Sequence, residues 1–208
     1  MLWKLAKRLK QHVSMNLKVK EIFYSLQGEG GRQGAASIFI RLSGCNLNCD
    51  FCDTDYSGGV DMSWEQILLQ IRQYPCEWII WTGGEPTLQL TDECLLFFKQ
   101  AGFRQAIESN GYNRLSDLLD YTVVSPKGNT DYALKINPQV DEVRLPVRDN
   151  GPIPSFETLP EAKFYFLSPI FTENQAKTYA NIDYCVQQVK QNTGWRLSLQ
   201  MHKWIGIQ

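Results

Sequence analysis

Short apolar runs, each ending in a cluster of glycine, serine, threonine, asparagine or proline, limit what this chain can fold into. Ser37 to Leu42 ends in Ser43-Gly44-Cys45, and Glu77 to Trp81 ends in Thr82-Gly83-Gly84-Glu85-Pro86. Gln105 to Glu108 leads into Ser109-Asn110-Gly111, and Tyr121 to Val124 into Ser125-Pro126-Lys127. Asp141 to Val147 follows, then Lys163 to Leu167, which ends in Ser168-Pro169-Ile170. Helix signals lie between these runs. Ser63-Trp64-Glu65-Gln66 reads as a capping box for a helix through Gln73, with Ile67, Leu68 and Ile71 inward. Thr91 caps a helix through Gln100 that Gly102 closes, and Thr172-Glu173-Asn174-Gln175 opens a long helix to about Asn192. Strands that alternate with helices predict parallel βαβ units, and polar punctuation at the C-terminal ends of strands is where α/β barrels gather their sites. The units are too few for eight. The expected fold is therefore α/β, a partial, open (β/α) barrel. Leu17 to Tyr24 reads as its first strand, with Val19 and Ile22 inward, and Trp195 to Gln200 as its last. Asp149 to Pro160, with three prolines, reads as a loop or lid.

A chain of 208 residues holds one well-buried domain, expected over 15–208. Residues 1–14 stand apart: Leu2, Leu5, Leu9 and Val13 share one helical face, surrounded by Lys4, Lys7, Arg8 and Lys10. That segment reads as an extension upstream of a start at Met15, with a membrane-surface helix or targeting segment as the alternatives. A net charge of −1 gives no footprint for nucleic acid, and no run approaches the ~20 apolar residues that span a bilayer. Six cysteines are too few for a disulfide scaffold of this length, and Cys76, Cys94 and Cys185 read as core thiols.

The other three, Cys45, Cys49 and Cys52, fall in a C-x3-C-x2-C pattern on a polar loop. Thiolates suit zinc or iron–sulfur centres. A structural zinc takes four protein ligands, and neither a further cysteine nor a histidine stands at ligand spacing. Three thiolates on a cubane leave one iron open to a small molecule. A zinc knuckle, or three unrelated buried cysteines, is the competing reading. Gln27-Gly28-Glu29-Gly30-Gly31 after the first strand is either a flexible turn or a site loop. Arg41, inside an apolar strand, either binds an anionic substrate or satisfies a buried glutamate.

The cysteine spacing resembles that of the radical S-adenosylmethionine (SAM) enzymes, which implies a 4Fe–4S cluster on Cys45, Cys49 and Cys52 and SAM on the open iron. Further pieces are similar to one family, the 7-carboxy-7-deazaguanine synthases of queuosine biosynthesis. They are Glu21 to Gly30, Phe39 to Cys45, Cys52-Asp53-Thr54, Thr82 to Pro86, Glu108 to Gly111, Ser125-Pro126-Lys127 and His202-Lys203. The resemblance extends over nearly everything from Met15 to Gln208. It implies ring contraction of 6-carboxy-5,6,7,8-tetrahydropterin to 7-carboxy-7-deazaguanine with loss of ammonia.

The same resemblance implies site residues. SAM would be held by Phe51, Asp53, Gly83, Gly84, Glu85, Ser109, Ser125, Pro126, Lys127 and Ser168, with Glu85 accepting from the SAM ammonium. A magnesium ion would sit on Thr54, which by itself reads as a turn or cap residue. Substrate would meet Leu26, Gln27, Gly28, Glu29, Arg41, Thr82, His202 and Gln208, the last through its terminal carboxylate. His202 by itself reads equally as a satisfied edge residue. Gly34-Ala35-Ala36-Ser37 lacks the proline expected of relatives. The resemblance also implies a cytoplasmic homodimer served by an electron donor such as flavodoxin or ferredoxin. A glycyl-radical-enzyme activase, or a non-catalytic cluster- or zinc-binding module, is the alternative.

Overall fold

The computed structural model describes residues 16–128 and 130–208. The expected extension over residues 1–14 lies outside them, as does Met15. One nine-stranded sheet organises the chain. β1 (Asn16–Leu26) pairs antiparallel with β2 (Ala36–Leu42) and, on its other side, with β3 (Val60–Ser63). From β2 onward the pairing is parallel. The run is β4 (Trp78–Gly83), β5 (Arg104–Ser109), β6 (Tyr121–Val124), β7 (Gln139–Val147), β8 (Glu161–Pro169) and β9 (Arg196–Leu197). The sheet runs β3-β1-β2-β4-β5-β6-β7-β8-β9, and its two ends do not pair with each other, so the barrel is partial and open.

The helices are α1 (Trp64–Ile71), α2 (Asp92–Gln100), α3 (Asp131–Ile136), α4 (Gln175–Gln191) and α5 (Met201–Ile205). The capping box of α1 forms as expected: the Gln66 N–H donates to Ser63 Oγ, and Gln66 Oε1 accepts from the Ser63 N–H. Thr91 caps α2 through the Cys94 N–H, and Gly102 takes the left-handed conformation that ends it, φ +95°. The long helix starts later than expected. Its cap is Asn174, which accepts from the Lys177 N–H, while Thr172 turns its hydroxyl to the Asn174 carbonyl.

Alternation along each strand separates two environments. Ile38, Ile40, Leu42, Ile79, Trp81, Ile107, Val124, Val143, Leu145 and Leu167 face outward under the helices, where they meet Ile67, Ile71, Leu95 and Phe98. Each such side chain, fully buried, contributes roughly 1.5–3 kcal/mol. Cys94 and Cys185 belong to this layer, and burial pushes both thiols up to about 12. The alternate residues, among them Thr82, Glu108, Ser125, Glu142, Arg144 and Ser168, point the other way, into the barrel. Their polarity makes the barrel interior a site.

The end of the chain departs from expectation. Trp195 to Gln200 was expected to be a strand, but pairing stops at Leu197. The Met201 N–H is drawn to the Gly28 carbonyl, which bends the chain over the open side of the barrel into α5. No helix among the described residues is long and apolar enough to cross a membrane.

Candidate active site

Two cavities open at the C-terminal ends of the strands, and they share a wall. One is lined by Cys45, Cys49, Cys52, Phe51, Gly83, Gly84, Ser109, Asn110, Ser125, Lys127, Ser168 and Phe171. The other is lined by Phe23, Leu26, Gln27, Gly28, Phe39, Arg41, His202, Lys203, Ile207 and Gln208. Glu29, Asp53, Thr54, Thr82, Glu108, Arg144 and Gln200 border both. Most of the residues singled out from the sequence are thus gathered in one cleft. Two are not on its walls: Glu85 and Pro126.

The cysteine cavity is built from backbone. Gly44 donates to the Tyr56 carbonyl and accepts from the Glu85 N–H, closing the loop at its root and tying it to the end of β4. A Cβ on Gly83 would lie 2.1 Å from the Leu42 oxygen, and one on Gly84 would lie 1.9 Å from the Gly44 oxygen. The glycines are thus required first by the approach of β4 to β2, and only then by a ligand. Asn110 donates to Asn46 at 2.8 Å, and Arg148 pairs with Asp50 at 2.7 Å, holding the cysteine loop from two sides. All three cysteines are free thiols.

The residues fit an iron–sulfur group with a bound small molecule. Three thiols and a glycine cradle share one cavity with the amine of Lys127 and the hydroxyls of Ser109, Ser125 and Ser168. Lys127 donates to Ser125 Oγ at 2.7 Å, and burial pushes its ammonium below its ordinary value. Burial raises the Cys49 thiol, an effect that the charge of Lys127 opposes.

Glu85 is placed differently from expectation. It is fully buried and its oxygens are taken: by the Thr87 N–H and hydroxyl, the Ser109 hydroxyl at 2.9 Å, and the Asn110 N–H at 2.7 Å. This carboxylate locks the end of β4 to the end of β5. Three of these four donors share one oxygen, and the other oxygen receives only the Asn110 N–H.

The second cavity is built from side chains brought together over long sequence separations. Gln27 donates to Glu108 at 2.9 Å, and Ser168 donates to Glu29 at 2.7 Å. Arg41 pairs with its cross-strand neighbour Glu21 at 2.6 Å, a glutamate that is partly exposed rather than buried, and the guanidinium also borders the cavity. Gln208 donates from its side chain to Glu21 at 2.8 Å, and its main-chain oxygen accepts from Ser25 at 2.6 Å. The last residue is thereby fixed beside Arg41. A Cβ on Gly28 would lie 2.0 Å from His202 Nδ1, so that glycine is what lets α5 close over the loop. Burial lowers the His202 pKa, with the Glu29 charge acting against it. Asp53 receives hydrogen bonds from Lys203 and Gln200. Burial pushes its carboxyl up, but these partners outweigh it and hold it below the ordinary range. Thr54 sits on the shared wall between the cavities. Where the expected proline is missing, Gly34 and Gln27 close the loop instead, through Gly34 N–H to Gln27 O and Gln27 N–H to Ala35 O.

Sequence reasoning missed Arg144, Glu142, Asn110 and Gln200, and gave Glu108 no role. Arg144 is the hub: its guanidinium reaches Glu142 at 2.7 Å, Glu108 at 2.9 Å and Glu29 at 3.6 Å. Burial pushes the Glu108 carboxyl up to about 7, with Glu142 and Glu29 adding to the rise and Arg144 opposing it. The signal was present in Val140 to Val147, where Glu142 and Arg144 interrupt an apolar strand at alternate positions.

Residues 39–137 match the family described as the Radical SAM superfamily. A protein of Bacteroides thetaiotaomicron named 7-carboxy-7-deazaguanine synthase is 40% identical over 193 residues, covering 93% of this chain and all of that one. One of Haemophilus influenzae with the same name is 40% identical over 202 residues, covering 93% of this chain and 95% of its own. The crystal structure of QueE from Escherichia coli superposes with a TM-score of 0.68, covering 91% of this chain and 96% of that one, and at 24% identity it speaks for the fold. Cysteine loop, glycine cradle, open barrel and full-length relatives agree: this chain is a radical SAM enzyme and belongs to the 7-carboxy-7-deazaguanine synthases.

Proposed function

We propose that this chain converts 6-carboxy-5,6,7,8-tetrahydropterin to 7-carboxy-7-deazaguanine with loss of ammonia, in 7-deazapurine (queuosine) biosynthesis. The observation that carries the reading is the shared wall: a polar second cavity opens directly onto the cysteine cavity. When bound, the cluster on Cys45, Cys49 and Cys52 and its SAM supply a 5′-deoxyadenosyl radical that takes hydrogen from the substrate. The rest falls to the chain's own residues.

Gly83 and Gly84 give the SAM amino acid a wall without side chains, and Lys127 and Ser125 offer donors to its carboxylate and ribose. Ser109 and Ser168 line the same space, and the Phe51 to Asp53 backbone runs beside it. Across the shared wall, Gln27 and Glu29 present an amide and a carboxylate to the guanidine-like edge of the pterin. Thr82 faces the ring, and Arg41 the substrate carboxylate. His202 and the Gln208 carboxylate close the far side, excluding water from a reaction that water would quench. Thr54 would hold a magnesium ion, its other positions filled by the substrate carboxylate and water, as that ion's preference for oxygen ligands requires.

An electron donor such as flavodoxin or ferredoxin, a cytoplasmic setting and a homodimer complete the proposal. Partial support for the last is an exposed sheet edge, β3, with Val60 67% exposed. A glycyl-radical activase would have to admit a protein backbone. A second cavity roofed by α5 and the last residue suits a small molecule better.

The test is an anaerobic assay of reconstituted protein with dithionite, SAM, magnesium and the carboxytetrahydropterin, read by mass spectrometry. The expected result is 7-carboxy-7-deazaguanine in excess over SAM consumed. SAM cleavage with the pterin untouched would overturn the substrate assignment.

A further inference from the structure

Glu142 lines neither cavity, yet its partner Arg144 stands on the wall between them. Its carboxylate is 0% exposed. One oxygen accepts from the Gly31 N–H at 2.9 Å and the Tyr121 hydroxyl at 3.0 Å. The other accepts from the Arg144 guanidinium, from Nε at 2.8 Å. Arg144 in turn places its remaining donors on Glu108, at 2.9 Å and 3.3 Å, and approaches Glu29 at 3.6 Å. Glu29 and Glu108 border both cavities, whereas Glu142 stands one step behind them.

The fit is tight at the loop as well. A Cβ on Gly30 would lie 2.0 Å from Glu142 and 2.6 Å from Arg144, and Gly30 has φ +69°. A Cβ on Gly31 would lie 2.7 Å from the Tyr121 hydroxyl. The Gly30–Gly31 turn is therefore seated closely on the Glu142 carboxylate. A guanidinium held on two edges by carboxylates keeps one plane. Fixing Arg144 on Glu142 thus fixes where Glu108 and Glu29 point. Three carboxylates around one guanidinium leave an excess of negative charge, which a ligand edge rich in N–H donors would offset.

We propose that Glu142 is a positioning residue for substrate recognition: it seats the Gly30–Gly31 turn and orients Arg144, so that Glu29 and Glu108 stand as an acceptor pair for the donor edge of the ligand. The inference rests on the pterin occupying the second cavity. It assigns Glu142 no contact with substrate, cofactor or reacting atoms.

Glu142→Gln keeps the size and one acceptor but loses the charge, and Tyr121→Phe removes a single hydrogen bond to the same oxygen. Both are compared with wild type for iron content, SAM cleavage without pterin, pterin binding by fluorescence, and the ratio of 5′-deoxyadenosine to product. In Glu142→Gln, iron content and pterin-free SAM cleavage stay within about twofold, while the apparent pterin Kd and KM rise about tenfold or more and the ratio climbs. Tyr121→Phe moves the same readouts in the same direction by a smaller factor, since Gly31 and Arg144 still hold the carboxylate. A Glu142→Gln protein that loses cluster, SAM cleavage and pterin binding in equal measure would make the residue structural and overturn the proposal, provided Tyr121→Phe is also without selective effect. If wild type converts the pterin and both variants match it, the inference alone falls. If wild type neither binds nor converts the pterin, the reading of the cavity falls and takes this inference with it.

Discussion

The two halves of the cleft are made in different ways. The cysteine half is assembled mainly from backbone: glycines 44, 83 and 84, and one carboxylate, Glu85, that ties β4 to β5, with Asn110 and Arg148 reaching the loop from further away. The other half is assembled from side chains that meet across most of the chain, such as Ser168 with Glu29, the Gly30 N–H with Ser198, and Gln208 with Glu21. A half made of local backbone can be rigid before any ligand arrives. A half made of long-range hydrogen bonds and ion pairs depends on the whole barrel.

The comparison breaks most completely at the cysteines. Cys45→Ala should remove both half-reactions, taking iron content to background and lowering product formation by at least about a thousandfold, as expected when a group without which there is no chemistry is lost. Retained SAM cleavage in that variant would contradict the assignment of the loop.

Gly30→Ala should sharpen it. The new methyl meets Glu142 and Arg144 in a backbone conformation that side chains avoid. Strain of about 1–3 kcal/mol translates into a loss of roughly ten- to a hundredfold in pterin turnover. SAM cleavage in the absence of pterin should be nearly unchanged. Equal loss of both would erase the boundary between the halves.

Extending the chain beyond Gln208 with a tag should act next. It disturbs Gln208, which is held by Ser25 and Glu21 on the wall of the second cavity, and should raise KM for the pterin about tenfold, the scale of one charge-assisted contact. An unaffected tagged enzyme would sink the role of the terminus.

The smallest effect concerns pH. Glu108 is raised from 4.5 to about 7 in the folded protein, chiefly by burial. A folded state that keeps this proton longer than the unfolded chain gains stability that is complete below the ordinary value and is lost as pH rises through about 7. Melting temperatures on either side of that value should show wild type weaker on the alkaline side, and Glu108→Gln should flatten the difference. A steeper alkaline loss in the variant would refute the assignment.

The same division decides what could be read from the sequence. Strand ends, caps and the cysteine spacing are local signals, so the parallel run β2 to β8, the capping box at Ser63, the cap at Thr91 and the cysteine cavity were all legible from it. β3 and α3 were not, because Val60 to Ser63 and Asp131 to Ile136 are too short to show a period. The structural partners of Glu85 were not legible either, because Ser109 and Asn110 reach it only across the pairing of β4 with β5. The Arg144 hub could not be found from spacing: its partners lie on β5, on its own strand and in the loop after β1, and only the closed barrel brings them together.

The most direct test of the division is to measure, in one anaerobic reaction, 5′-deoxyadenosine and 7-carboxy-7-deazaguanine for wild type and Gly30→Ala. Wild type should form many products for each 5′-deoxyadenosine released. Gly30→Ala should release 5′-deoxyadenosine at a rate close to that of wild type without pterin, while making little product. If the variant instead loses both in proportion, the cleft works as one unit and the division drawn from its construction is wrong.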